Sequence, residues 1–278
     1  MRIDNLLNDI TARFAEAGIE SPRLDCEVLA AHALDIEKYK LITDSFRNLT
    51  PDEIKKIEKM VKRRLSFEPV AYITGIKEFY SLDFIVNKHV LIPRPETELL
   101  VDMGIYWASM HASVLDLCTG SGAVAIALKH SRRDLEMYAS DISADALKVA
   151  KKNASIINGG GGIKFIKGDL FEPFRGKRFD VIISNPPYVS PEEAESLKKE
   201  LSFEPEIALF APEKGRGIIS KIISEAGDYL NEKGILLLEI GSSQGPFVTE
   251  MGEETGYTVS ILNDYSGLPR VATLKKNF

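Results

Sequence analysis

From about Pro95 to the end of the chain, short apolar runs alternate with segments of helical period, and few architectures accept that alternation. Strands joined by crossing helices form a mostly parallel sheet covered on both faces, so each strand reads as a nearly continuous apolar run. Five such runs are Ser113–Leu117, Leu135–Ala139, Ile163–Ile166, Val181–Ser184 and Ile235–Ile240, and Thr258–Leu262 and Val271–Leu274 add a closing pair. An α/β unit built on a seven-stranded, mostly parallel sheet is therefore expected over residues 95–278.

Residues 1–75 follow a different rule. Ile3, Leu6, Leu7, Ile10 and Phe14 recur with helical period, and Gly18 closes that helix. Ser21-Pro22 opens a second helix ahead of Leu24, Val28 and Leu29. Thr50-Pro51-Asp52-Glu53 is a capping box with proline at the first helical position, and Ile54, Ile57, Val61 and Leu65 follow it on one stripe. A small bundle of four or five helices is predicted, suited to docking or support rather than to catalysis. Phe79-Tyr80 and Phe84-Ile85-Val86 then flank Ser81-Leu82-Asp83, which reads as a hairpin within a linking stretch 76–94.

At 278 residues, 44% hydrophobic and 27% charged, the chain has room for two domains and the make-up of a globular protein, which excludes disordered and collagen-like classes. No apolar run approaches the roughly 20 residues of a membrane-spanning helix, and Met1-Arg2-Ile3-Asp4-Asn5 enters amphipathic sequence directly, so a cytoplasmic protein is expected. Cys26 and Cys118 lie far apart and read as reduced thiols. His32, His89, His111 and His130 show no metal-ligand spacing, and no metal is expected. A net charge of −6 argues against stable binding to a nucleic-acid backbone.

The chemistry sits at strand ends. The first strand runs into Asp116-Leu117-Cys118-Thr119-Gly120-Ser121-Gly122, and a helix follows at once. Glycines in such a turn let backbone approach a ligand, and the spacing is not that of a pyrophosphate-binding turn. The second strand delivers Asp141, placed to accept the two hydroxyls of a ribose; capping the helix that begins near Ser143 is the compatible alternative. The third ends at Asp169-Leu170, where the carboxylate can accept an adenine amino group and the leucine can cover the ring; a polar turn is the plainer reading.

The fourth strand ends in Asn185-Pro186-Pro187-Tyr188. An amide nitrogen is a poor nucleophile, so its activation must come from placement and electrostatics. The Asn185 side-chain oxygen and the Pro186 carbonyl can each accept one hydrogen of a substrate NH2, the prolines stiffen the turn, and Tyr188 offers a flat face for stacking. The motif suits planar NH2 groups in general. It resembles the same tetrapeptide in glutamine methyltransferases and in enzymes that methylate exocyclic amines of adenine or guanine.

Outside that motif, Ser21–Asp25, Pro69–Gly75, Glu78–Tyr80, Leu91–Glu98, Glu204-Pro205, Leu238–Gly241 and Asp264–Gly267 resemble the release factor glutamine methyltransferases, the PrmC/HemK family, over nearly the whole chain. The resemblance implies a class I Rossmann-like methyltransferase domain whose last strand runs antiparallel, preceded by a helical substrate-docking domain and a hairpin. It implies S-adenosyl-L-methionine as cofactor, with S-adenosyl-L-homocysteine as product, held at Asp116, Cys118–Gly122, Asp141, Asp169, Leu170 and Asn185. It implies a substrate site at Asn185–Tyr188 and, as substrate of a monomeric enzyme, the glutamine of the Gly-Gly-Gln loop of class 1 release factors. Cys118 departs from the glycine often found there and is shared with ribosomal-protein glutamine methyltransferases, the runner-up; a nucleic-acid amine methyltransferase and a non-catalytic docking protein stand further off. Packing under the turn is the expected role of Cys118.

Overall fold

The computed structural model describes residues 1–196 and 199–276. Its contacts part the chain into two units: the smaller comprises Met1–Ile76 and takes in Lys199–Phe203, and the larger holds most of the remainder.

In the smaller unit the apolar stripes become helices α1 (Ile3–Glu16), α2 (Pro22–Leu34), α3 (Lys40–Thr43), α4 (Pro51–Leu65) and α5 (Val70–Thr74). The capping box forms: the Glu53 N–H donates to Thr50 Oγ1 at 3.3 Å and the Thr50 N–H donates to Glu53 Oε2 at 2.8 Å. Ser21 starts α2 without a side-chain cap bond. Ile3, Leu6, Leu7, Ile10 and Phe14 are all buried, packed with Leu29, Ile57 and Val61. The buried Arg64 guanidinium pairs with Asp25 at 2.8 Å and with Glu200 at 2.9 Å, which fastens the Lys199–Phe203 turn to this unit.

The larger unit opens with the hairpin β1 (Ile76–Phe79) and β2 (Leu82–Ile85), most of which lies within it, and Phe79 and Phe84 are fully buried in its core. Helix α6 (Glu98–Trp107) leads into β3 (Ser113–Leu117), α7 (Ala123–Ser131), β4 (Glu136–Asp141), α8 (Ala144–Asn158), β5 (Ile163–Lys167) and β6 (Phe179–Ser184). Short turns α9 (Glu206–Leu209) and α10 (Pro212–Gly215) precede α11 (Gly217–Tyr229), β7 (Leu230–Glu239), α12 (Gly245–Glu254), β8 (Tyr257–Asn263) and β9 (Pro269–Lys276). The order across the seven-stranded sheet is β5-β4-β3-β6-β7-β9-β8, with β9 alone antiparallel. Strand β7 begins at Leu230, ahead of the predicted Ile235, because Leu230 pairs with Phe179 before a register shift.

Residue alternation along each strand builds two cores. Val114, Val181, Ile183 and Leu237 face α6 and α7, while Leu115, Leu117, Ile182, Leu236 and Leu238 face α11 and α12. Both faces are covered, which is why the strands read as unbroken apolar runs.

Candidate active site

Strands β3 and β6 are neighbours, yet the chain winds outward from them in opposite directions. The crevice beyond the carboxyl ends of such a pair is where open α/β sheets bind ligands. Ser184 Oγ donates to the Leu117 carbonyl at 2.9 Å, so the two strand ends are locked side by side. A cleft of ≈ 380 Å³ opens here, within the size range of small-ligand sites. Asp116, Cys118, Thr119, Gly120, Ser121, Asp141, Asp169, Leu170, Asn185 and Pro187 all line it.

The turn after β3 is held by two carboxylates. Asp116 is buried, and its Oδ2 accepts from Thr119 Oγ1 at 2.6 Å and from the Ala125 N–H at 3.3 Å. Burial pushes its pKa up to about 7 against those two hydrogen bonds. Asp141 accepts from the Gly120 N–H at 2.9 Å and the Ser143 N–H at 2.8 Å, one on each oxygen. Burial raises its pKa as well, and those same bonds oppose the rise. The helix cap is Ser143 itself, whose Oγ accepts from the Ala146 N–H at 3.1 Å, so Asp141 is one step removed from the capping role. A carboxylate has about four acceptor sites, which leaves Asp141 free ones beyond these two bonds.

Cys118 adopts a left-handed backbone at φ +57, where glycine carries no strain, and it packs against the α11 side of the core. Burial first, and then the Asp141 charge, raise its thiol to about 12. Gly122 is not on the wall of the cleft: a Cβ there would meet Ile126 Cδ1 at 2.8 Å and Ala150 Cβ at 3.1 Å, so it serves the packing of α7 on α8. Asp169 lines the cleft while accepting from Lys221 Nζ at 2.9 Å, and Leu170 is buried beside it.

At the end of β6, Asn185 Nδ2 donates to Thr97 Oγ1 at 3.1 Å. Thr97 donates in turn to Glu239 Oε2 at 2.6 Å, and Tyr188 donates to Glu239 Oε1 at 3.1 Å. Tyr188, expected to offer a stacking face, is therefore turned to Glu239 and does not line the cleft; Pro186, expected to present its carbonyl, is buried and does not line it either, while Pro187 is on the wall. Burial raises the Glu239 pKa, with Thr97, Tyr188 and the Arg270 charge acting the other way. Behind the turn, Gln244 Nε2 donates to the Tyr188 carbonyl at 3.2 Å and the Gly215 carbonyl at 3.0 Å.

Two further walls were not singled out from sequence as cleft residues. His89 to Leu91 and Pro93 form one, and Pro205, Ile207 and Ala208 form another. Glu204, 1% exposed at its side chain, joins them by pairing with Arg94 and accepting the Ile92 N–H at 3.0 Å. Thr97 and Glu239 were also missed; the available signal was an acid closing the apolar run 235–238, as Asp141 closes its own. Among the described residues the cleft wall carries three carboxyl groups and no lysine or arginine, an environment that disfavours a phosphate.

The model of the PrmC N-terminal domain matches residues 5–75, and that of the methyltransferase small domain matches residues 97–203. A release factor glutamine methyltransferase of Neisseria gonorrhoeae is 40% identical, with 90% of this chain and 92% of that protein covered. The chain belongs to the release factor glutamine methyltransferase family. A bifunctional methyltransferase of Rickettsia typhi is 38% identical over 92% of this chain; the chain spans 51–57% of the length of this and four other Rickettsia proteins of that name. Among solved structures, a methyltransferase from Pyrococcus furiosus shares the fold at TM-score 0.55 and 19% identity, with 73% of this chain and 92% of that one covered.

Proposed function

We propose that this protein transfers a methyl group from S-adenosyl-L-methionine to the side-chain nitrogen of the glutamine in the Gly-Gly-Gln loop of class 1 release factors. The observation that carries the reading is Asn185: its NH2 is committed to Thr97, which leaves its oxygen as an acceptor beside a carboxylate-lined cleft at the switch point of the sheet. Membership of the release factor glutamine methyltransferases supports the substrate, and the match to the PrmC N-terminal domain favours it over a ribosomal protein.

The residues present suit the cofactor. Asp141 has free acceptor capacity for ribose hydroxyls, Asp169 and Leu170 stand at the neighbouring strand end for the adenine, and Asp116 holds the Cys118–Gly122 turn through Thr119 and the Ala125 N–H. When bound, S-adenosyl-L-methionine supplies a methyl group on a positively charged sulfur. Asn185 Oδ1 would accept one hydrogen of the substrate amide, and the carbonyl of the adjoining Pro186 would accept the other. The nitrogen lone pair is thereby aimed: the N–C bond would form as the methyl carbon–sulfur bond breaks, the sulfur keeping that electron pair as a neutral thioether. The proton shed by the nitrogen would pass along its hydrogen bond to Asn185 Oδ1 or the Pro186 carbonyl and on to water, so the reaction gains chiefly from orientation. Cytoplasmic action as a monomer completes the reading; no helix of the described residues is long and apolar enough to cross a membrane.

Labelled methyl incorporation tests it. Release factor should be labelled once per chain, Asn185→Ala should abolish labelling while retaining cofactor binding, and undiminished labelling of a release factor lacking the loop glutamine would refute the target.

A further inference from the structure

We infer that Glu239, acting through Thr97, fixes which way the Asn185 amide faces, and so keeps an acceptor rather than a donor toward the substrate nitrogen. The inference rests on the proposed function and adds two positioning residues to it.

The hydrogen count around Glu239 makes the case. An ionised carboxylate only accepts, so the hydroxyls of Thr97 and Tyr188, bonded to its two oxygens, must both donate. A threonine hydroxyl has a single hydrogen. Once that hydrogen points to Glu239, the Thr97 oxygen can only accept from Asn185, and the donor that meets it at 3.1 Å is Nδ2. The amide is planar, so with Nδ2 held by Thr97 its oxygen points elsewhere. Without the carboxylate the chain of donors runs backward: a neutral acid can donate to Thr97, Thr97 can donate to Asn185 Oδ1, and the amide turns its NH2 toward the substrate. Two NH2 groups then face each other, and the substrate amide loses an acceptor.

The surroundings favour this arrangement as a device rather than a packing detail. Glu239 is 1% exposed, so an ionised carboxylate there requires partners that answer its charge. Those partners are Thr97 ahead of α6, Tyr188 after β6, and the Arg270 charge from β9, with Glu96 opposing them. The Arg270 guanidinium is itself shared with Asp264 at 3.1 Å. No single element supplies the set: it closes only when α6, β6, β7 and β9 have all assembled.

The test uses the full chain, with Thr97→Val, Thr97→Ser and Glu239→Gln. Thr97→Val keeps shape and removes the hydroxyl; Thr97→Ser restores it. Methyl transfer to release factor is expected to fall at least tenfold in kcat in Thr97→Val and Glu239→Gln, with cofactor Kd within threefold of wild type and Thr97→Ser within threefold in kcat. In wild type the kcat profile is expected to decline on the acid side as Glu239 takes up a proton, and Glu239→Gln should lack that limb. Independently of turnover, the Asn185 side-chain NH2 signals in nitrogen-15 spectra, assigned by their loss in Asn185→Asp, should shift in Thr97→Val and Glu239→Gln but hold in Thr97→Ser. Unchanged amide signals together with kcat within twofold of wild type would overturn the inference, even if melting temperature drops. A wild-type enzyme that labels no release factor would sink the functional reading instead, and the amide signals would still decide the orientation.

Discussion

Gly215→Ala probes how the Asn185–Tyr188 turn is supported from behind. Gly215 has φ +81, and a Cβ there would lie 2.2 Å from the Tyr188 carbonyl oxygen, 2.9 Å from the Tyr188 carbonyl carbon and 3.2 Å from the Ser190 nitrogen. All three are main-chain atoms, so no side chain can rotate to make room. The left-handed backbone costs about 1–2 kcal/mol for an alanine, and overpacking adds about 1–3 kcal/mol. The sum is roughly 2–5 kcal/mol, and part of it must be relieved by moving the Tyr188 carbonyl off Gln244. Gly256→Ala is the control, because Gly256 has φ +86 but nothing within 4 Å of the added atom, so only the backbone part should show. Denaturant unfolding should place Gly215→Ala well below Gly256→Ala in stability. Methyl transfer should fall at least tenfold in the first variant and stay near wild type in the second. Equal stabilities, or full activity in Gly215→Ala, would refute the claim that Gly215 is required by close approach to this turn.

Other outcomes follow from the same geometry. Burial lifts Asp116 to about 7, so the native state holds a proton that the unfolded chain releases near pH 4. Stability should therefore fall as pH rises from about 4 to about 7 and level off above, by at most roughly 4 kcal/mol across that range; Asp116→Asn should flatten that slope in denaturant titrations, and an unchanged slope would count against it. Asn153 is buried and bonds the Ile85 N–H at 2.8 Å, the Ile85 carbonyl at 3.0 Å and the Ser121 carbonyl at 2.9 Å. Asn153→Leu should lower stability by about 2–4 kcal/mol and weaken cofactor binding seen by calorimetry, because it frees the glycine turn as well as the hairpin. Arg94→Ala strands the Glu204 carboxylate, and a loss of about 3–5 kcal/mol is expected in unfolding; adding Glu204→Gln should recover part of it.

Local patterns carried the sequence reading far. Strand β3 was legible to the residue because Ser113–Leu117 is an apolar run with a glycine turn behind it, and the α1 stripe listed its own buried face. Strand β7 was not, since Asn231-Glu232-Lys233-Gly234 reads as a turn until Leu230 is seen paired with Phe179. In the site, Asp141 and Asn185 announced themselves as polar residues closing apolar strands. Their orientation did not, because it depends on pairs with no local signature. Thr97 and Glu239 meet across 142 positions, and Arg94 and Glu204 across 110. Tyr188 illustrates the limit: its place beside Asn185 suggested a stacking face, and only the fold revealed a buried carboxylate to receive its hydroxyl.

The hairpin sets where the core of the larger unit begins. Phe79 and Phe84 meet edge to face at 5.9 Å inside the same core as Leu100 and Ile183, and Ile85 is the backbone to which Asn153 is tied. A fragment trimmed to start at β3 would leave a void where two aromatic rings sat and would strip Asn153 of two of its three hydrogen bonds. Any self-folding piece of the larger unit must therefore start upstream of Phe79, so an engineer replacing the smaller unit would cut before the hairpin and keep it whole.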